Sequence, residues 1–219
     1  MAHTRAPSRA LSLHDAVQST RTGDVWLFRR ASPADGAVQS GAGVPVDHVG
    51  MAVVVDDLPP LIWHAELGHS LADAWTGRHH RGVQLHDLSD AVCVWKKRYG
   101  QQAWLRRLNG PADDGVTREM EDAALRAVAR LDGKPFPTTR GLPEGWLGGK
   151  LRWRQSNDTI FCAELVAATY RAMDLLPGSR PMRAHDPGRF WSAERVPLRG
   201  AWLGEEIRVD VPVEGDPCD

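Results

Sequence analysis

A chain of 219 residues with 42% hydrophobic and 25% charged residues is long enough for one well-formed core and has the make-up of an ordinary folded protein. With 27 Lys and Arg against 28 Asp and Glu, its formal net charge of -1 offers no global attraction to nucleic acid or to anionic membranes. No stretch approaches the roughly 20 apolar residues that span a bilayer, and Met1 to Arg21 lacks a signal-peptide core, so a cytoplasmic location without stable membrane insertion is expected.

Residues 1–10, rich in Ala, Arg and Ser, read as a disordered lead, and Leu11 to Val17 as a short helix packing on the body. Gly23 to Phe28 reads as a turn followed by a buried strand. A loop from Ser32 to Pro45 separates it from the strongest strand signal, Val46 to Val55, bounded by Pro45 and Asp56-Asp57. Leu61 to Glu66, Val83 to Leu88 and Ala91 to Trp95 are further expected strands. Two helices follow. Glu119 to Leu131 carries Ala123, Leu125, Val128 and Leu131 and stops at Gly133; Ile160 to Leu176 follows Asp158-Thr159 and stops at Pro177-Gly178. A late strand is expected near Ile207 to Val211. The domain plan is a lead (1–19), one domain (20–195) and an extension (196–219). Early strands and late helices argue an α+β class.

Three cysteines, Cys93, Cys162 and Cys218, form no disulfide framework and no C-x-x-C pair, so reduced thiols are expected. Cys162 falls in the first turn of the late helix, where unpaired amides and the helix dipole favour a thiolate. The competing reading is a small buried core residue. His48 sits inside a Val-rich strand beside Gly50, and a buried imidazole needs a partner. That partner is either a backbone carbonyl or a group of a catalytic site. If the two strands form a hairpin tipped near Asp56-Asp57, position 48 lies opposite position 64, and His48 and His64 become cross-strand neighbours. Cys93 is expected in a strand, facing the core. The other histidines, His86 among them, sit beside aspartates or in polar turns. With no metal-ligand spacing, phosphate loop or dinucleotide fingerprint, no metal and no cofactor are expected.

The order of these segments is recognisable. Gly23-Asp24-Val25-Trp26-Leu27, Asp47-His48-Val49-Gly50-Met51, Ile62-Trp63-His64-Ala65, Gly133-Lys134-Pro135-Phe136 and Phe161-Cys162-Ala163-Glu164-Leu165-Val166 together resemble the circularly permuted NlpC-type papain-like proteins. These include the YiiX/YaeF-like group and are related to the lecithin:retinol acyltransferase class. His185 to Phe190 is similar to the family's closing turn, so the resemblance runs from about residue 20 to about 195. It implies a single papain-like domain with a small antiparallel sheet against helices that include the cysteine helix. It also implies Cys162 as nucleophile, His48 as base and then acid, and His64 as the orienting group. The implied activity is hydrolysis of an amide bond in a small-molecule, peptide or acyl-amide substrate. The alternatives are a non-catalytic module that keeps the groove, and a lipid thioesterase or acyltransferase. Three departures stand out: Asp47 replaces the family's serine, His64 its frequent glutamate, and Phe136-Pro137 its Tyr-Asp.

Overall fold

The structure, a computed structural model, describes residues 10–30, 46–110, 112, 115–135, 161–178, 186–191 and 196–212. In chain order these form β1 (Ala10–Ser12), α1 (Leu13–Gln18), β2 (Val25–Arg30), β3 (His48–Val53), β4 (Leu61–Glu66) and β5 (Gly82–Asp87). Then come α2 (Leu88–Tyr99), β6 (Gln101–Arg106), β7 (Leu108–Asn109), α3 (Arg118–Leu131) and α4 (Cys162–Ala172). A 3-10 turn (Pro187–Phe190), β8 (Trp202–Leu203) and β9 (Ile207–Asp210) complete the described elements.

The class is α+β. One seven-stranded sheet runs β1-β9-β6-β2-β3-β4-β5, antiparallel throughout except for the parallel pairing of β1 with β9. Helices cover both of its faces. On one side α3 and α4 supply Ala124, Val128, Leu131, Leu165 and Val166 to a core with Val25, Leu27, Val49, Met51 and Trp63. On the other, α1 and α2 supply Leu13, Val17, Leu88, Val92 and Trp95 to a core with Trp26, Phe28, Ala52 and Ile62. Alternate residues of β2, β3 and β4 thus serve two different interiors, which is why these strands read as near-continuous apolar runs.

The structure departs from expectation in three places. Ala91 to Trp95 is not a strand but the middle of α2. Asp87 caps that helix by accepting the Asp90 N–H, Gly100 ends it in the left-handed conformation (φ 65°), and Leu88, Ala91, Val92 and Trp95 face the core at helical spacing. The β-rich wording Val-Cys-Val-Trp hid a period of three to four residues. Next, the helix places Cys93 half-buried at its side, and Cys93 is disulfide-bonded, whereas Cys162 is the free cysteine among the described residues. Sequence spacing carries no information about which thiols meet in space. Disulfides persist in oxidising compartments, so the inference of a reducing setting loses its footing. Cys218 lies outside the described residues. Last, of residues 10–19 and 196–212, expected to flank the domain, β1 and β9 join the one sheet and α1 packs in the core on its α2 side.

Arg106, at the end of β6, ties the C-terminal segment down. Its buried guanidinium donates to the carbonyls of Phe190, Leu203 and Gly204 and lies 3.8 Å from Glu206. Among the described residues no helix is long and apolar enough to cross a membrane.

Candidate active site

β3 and β4 are joined by a short turn around Asp56 and Asp57, and Asp57 adopts φ 69° there. The register pairs Met51 with Trp63 and Ala52 with Ile62. Continued along the strands, it sets Gly50, not His48, opposite His64, two residues from the expected alignment. Because side chains repeat every second residue, the slip leaves His48 and His64 on the same face and makes them diagonal neighbours. Gly50 provides the room. A Cβ there would meet Ile62 at 2.6 Å and the Cβ of His64 at 3.3 Å.

The two rings meet. His48 Nε2 lies 3.1 Å from His64 Nδ1, and His64 Nε2 lies 3.0 Å from Nδ1 of a third ring, His86 on β5. Three imidazoles on three adjacent strands therefore form one string. His64 and His86 are buried, while His48, the first residue of β3, is the half-exposed end. Trp95 of α2 packs against all three, with ring centroids 5.2, 4.8 and 6.4 Å from His48, His64 and His86. Its indole N–H is satisfied by Ser70 Oγ at 3.0 Å.

Burial dominates the electrostatics. It pushes His48 down to about 4, with the charge of His86 adding to the effect. His64 is held well below the ordinary range by burial and then by its two neighbours. His86 is pushed down to about 4 by burial, against the pull of the Asp73 carboxylate and the Leu71 carbonyl. All three rings are neutral at pH 7, so each N···N contact is one imidazole donating to another.

Cys162 occupies the place in α4 that the sequence suggests, at its first residue. Phe161 is the N-cap, and Glu164 Oε2 accepts the Phe161 N–H at 3.1 Å. Asp158, Thr159 and Ile160 lie outside the described residues, as do Phe136, Pro137 and His185. The thiol is not poised as a thiolate. Burial pushes it up to about 11, only partly offset by the amides of Val49, Ala163 and Cys162 itself, and the Asp47 carboxylate pushes the same way as burial. Asp47 is anchored by the Arg30 N–H at 3.0 Å.

The sheet separates the sulfur from the imidazoles. Cys162 belongs to the core on the α4 side together with Val49, whereas the rings pack with Phe28 and Trp95 on the α2 side. Among the described residues no hydrogen bond joins Cys162 to His48. What links them is the backbone: the amide that reaches the sulfur belongs to Val49, the residue next to His48.

His86 was legible in principle. In Val83-Gln84-Leu85-His86, two polar residues alternate with two apolar ones, and both Gln84 and His86 are buried on the histidine face. The two nitrogens of His64 point in opposite directions, each to a different ring, so no single ion can take all three histidines. Among the described residues no group of three or more His, Cys, Asp or Glu side chains is arranged to hold a metal.

The glycine-aspartate pair just before β2 is structural. Asp24 accepts the Leu108 N–H at 2.7 Å and the Arg21 N–H at 3.0 Å, and Tyr170 of α4 donates to the Gly23 carbonyl at 2.6 Å. The strand carrying the first sequence motif is thereby joined to the helix carrying the last.

No protein-family model matches the sequence, and no curated protein matches it. Among solved structures, the metalloprotein YiiX of Escherichia coli O157:H7, of the group DUF1105, is similar over 88% of this chain and 97% of its own, with a TM-score of 0.45 and 18% identity.

Proposed function

We propose that this protein is a thiol-dependent hydrolase or acyl-transfer enzyme acting on an amide or ester carbonyl, with Cys162 as nucleophile and His48 as the base. The observation that carries the reading is a single junction. The sulfur of Cys162 takes the amide of Val49, and the neighbouring residue, His48, is an imidazole whose Nε2 is held by His64. That leaves His48 Nδ1 as the ring's remaining proton-exchanging atom. His48 is the first residue of β3, so the candidate base sits at that strand's end. A carbonyl group lodged at that end meets sulfur on one side and imidazole on the other.

The thiol proton passes to His48 Nδ1 through one intervening water as the sulfur attacks the carbonyl carbon. The carbon–sulfur bond forms, and amides at the start of α4 face the developing oxyanion. The leaving amine or alcohol takes the proton from His48 as its bond to carbon breaks, and water then releases the acyl group. The raised thiol suits a nucleophile that ionises only in the presence of substrate. Substrate class within amides and esters, including acyl amides, follows from the same chemistry.

A second reading, a non-catalytic module, has its own observation: a thiol pushed up to about 11, in the core on the α4 side. Intact-protein mass spectrometry after exposure to a panel of activated acyl esters and anilides separates the two. The enzyme reading expects an acyl group on Cys162, absent in Cys162→Ala and formed about 100-fold more slowly in His48→Ala. A folded protein whose Cys162 stays unmodified across the panel leaves the binding-module reading standing.

A further inference from the structure

Six ring nitrogens belong to His48, His64 and His86, and four of them are engaged in the two contacts of 3.1 and 3.0 Å. At that separation two imidazole nitrogens need one hydrogen between them. With none, two lone pairs face each other; with two, the hydrogens collide. Each contact therefore holds one hydrogen, and the places left are the outer nitrogens, Nδ1 of His48 and Nε2 of His86. Three neutral rings carry three hydrogens, so one outer nitrogen bears a hydrogen and the other is bare.

An added proton goes to the bare outer nitrogen. Both outer nitrogens then carry a hydrogen, and each contact keeps the one it had. The positive charge belongs to no single ring, because a hydrogen sliding from His48 Nε2 to His64 Nδ1, or from His64 Nε2 to His86 Nδ1, moves it along the string. A second proton has no place without breaking a contact. A hydrogen on His86 Nε2, buried with no hydrogen-bond partner among the described residues, is costly, so the string stays neutral until the medium is acidic.

The surroundings offer the string no other exchange partner. α2 presents the Trp95 ring and β2 the Phe28 ring. Glu66, two residues beyond His64 on β4, is engaged by the N–H and hydroxyl of Ser70. Asp47, next to His48 in the chain, accepts the Arg30 N–H. Between β4 and β5, Asp73 accepts from Leu85 and Thr76, and His79 and His80 act on His86 against it. Among the described residues none of these charged groups is hydrogen-bonded to the string. We infer that the three histidines are one protonation unit: while both contacts stand the string takes up a single proton, and that proton, wherever it enters, leaves a hydrogen on His48 Nδ1. With His48 as the base, which is the one step that rests on the proposed function, a proton arriving at the His86 end shuts off an acceptor two strands away.

Nitrogen-15 NMR of the histidine rings during an acid titration counts the hydrogens, with no substrate present. The expected result is one midpoint shared by all three rings, a total gain of one hydrogen, and below it a hydrogen on both His48 Nδ1 and His86 Nε2. Three separate midpoints, each with full conversion of one ring, overturn the inference, and so does a protonated string with His48 Nδ1 bare. A fold that collapses with the string still neutral overturns it too. His86→Phe leaves two rings and one contact and is expected to move the midpoint read at His48 while the gain stays at one hydrogen. An unmoved midpoint there contradicts a shared charge, and the wild-type titration decides alone should that variant not fold. Acylation of Cys162 is a separate readout, expected to slow about tenfold per pH unit below the same midpoint. Acylation that continues unchanged through the midpoint removes His48 as the base and leaves the proton count upheld. A Cys162 that is acylated at no pH sinks the cysteine chemistry and likewise leaves the count upheld.

Discussion

The two faces of the sheet are built on opposite terms. On the α4 face a set of hydrogen bonds ties the helix to the sheet and the chain ends to both. Trp63 donates to Thr169, whose hydroxyl donates to the Leu165 carbonyl, Tyr170 donates to Gly23, and Arg106 serves three carbonyls. On the α2 face a string of neutral imidazoles lies under Trp95, and His86 Nε2 and Gln84 Oε1 are buried without a hydrogen-bond partner. The first arrangement joins layers through paired polar groups, although Asp132 Oδ1 at the end of α3 is itself buried without a hydrogen-bond partner among the described residues. The second tolerates buried groups far from their ordinary proton affinity, as sites of chemistry do. Cys162 is unusual in belonging to the quiet face while touching the backbone of the strand that begins with His48.

The comparison breaks most visibly at Arg106. Arg106→Leu strips the donors from three carbonyls on the α4 face and is expected to cost about 3–5 kcal/mol by chemical denaturation. A loss below about 1 kcal/mol contradicts the picture of a face held by satisfied polar contacts.

Acid acts mainly on the other face. A ring lowered from 6.5 to about 4, as His86 is, binds its proton more weakly in the folded protein than in the unfolded chain. Its stability contribution is therefore present above about pH 6.5 and is lost as pH falls towards 4, by about 3 kcal/mol for one such group. Asp24, raised from 3.8 to about 6, works in the opposite sense and returns part of that loss over the same acid range. Denaturation at pH 7, 5.5 and 4.5 is expected to show a net fall, because His48, His64 and His86 are all held far down, whereas of the raised carboxylates Asp24, Asp47, Asp90 and Asp132 only Asp24 is strongly shifted. Alkali loads the α4 face instead. Cys162, raised from 9.0 to about 11, favours the folded state only while protonated, so stability falls as pH rises through that interval. A flat profile from pH 7 to 4.5 argues against neutral buried imidazoles.

The smallest effect falls at the seam. Gly50→Ala places a Cβ 2.6 Å from Ile62 and 3.3 Å from His64, with an expected cost of about 1–3 kcal/mol and displaced His48 and His64 ring resonances. Unchanged ring resonances in a folded variant show that the glycine does not make room for the string.

What was legible followed from local patterning. β4 at Leu61–Glu66 and the body of α3 stand where an apolar run and a helical period put them, and Cys162 opens its helix. The His48–His64 encounter also emerged, although through a register two residues off, because face is conserved under a two-residue slip and alignment is not. α2 was concealed by β-branched residues at helical spacing. β6, Gln101–Arg106, carries Gln, Trp and Arg with little alternation and takes its place from pairing with β2 and β9. The face on which a candidate residue sits is a tertiary property: adjacent residues of β3 point into different interiors, and motif order along the chain does not report that.

The pairing of β1 with β9 sets an order on assembly. Ala10, Leu11 and Ser12 lie beside Arg208, Val209 and Asp210, at nearly the greatest separation along the chain that the described residues allow. The meander from β2 to β5, by contrast, joins neighbours in sequence and closes far shorter loops, contacts that form sooner. During vectorial synthesis the three imidazoles can therefore come together long before the sheet is finished. Until β9 emerges, the free margin of β6 stays open to strands of other molecules.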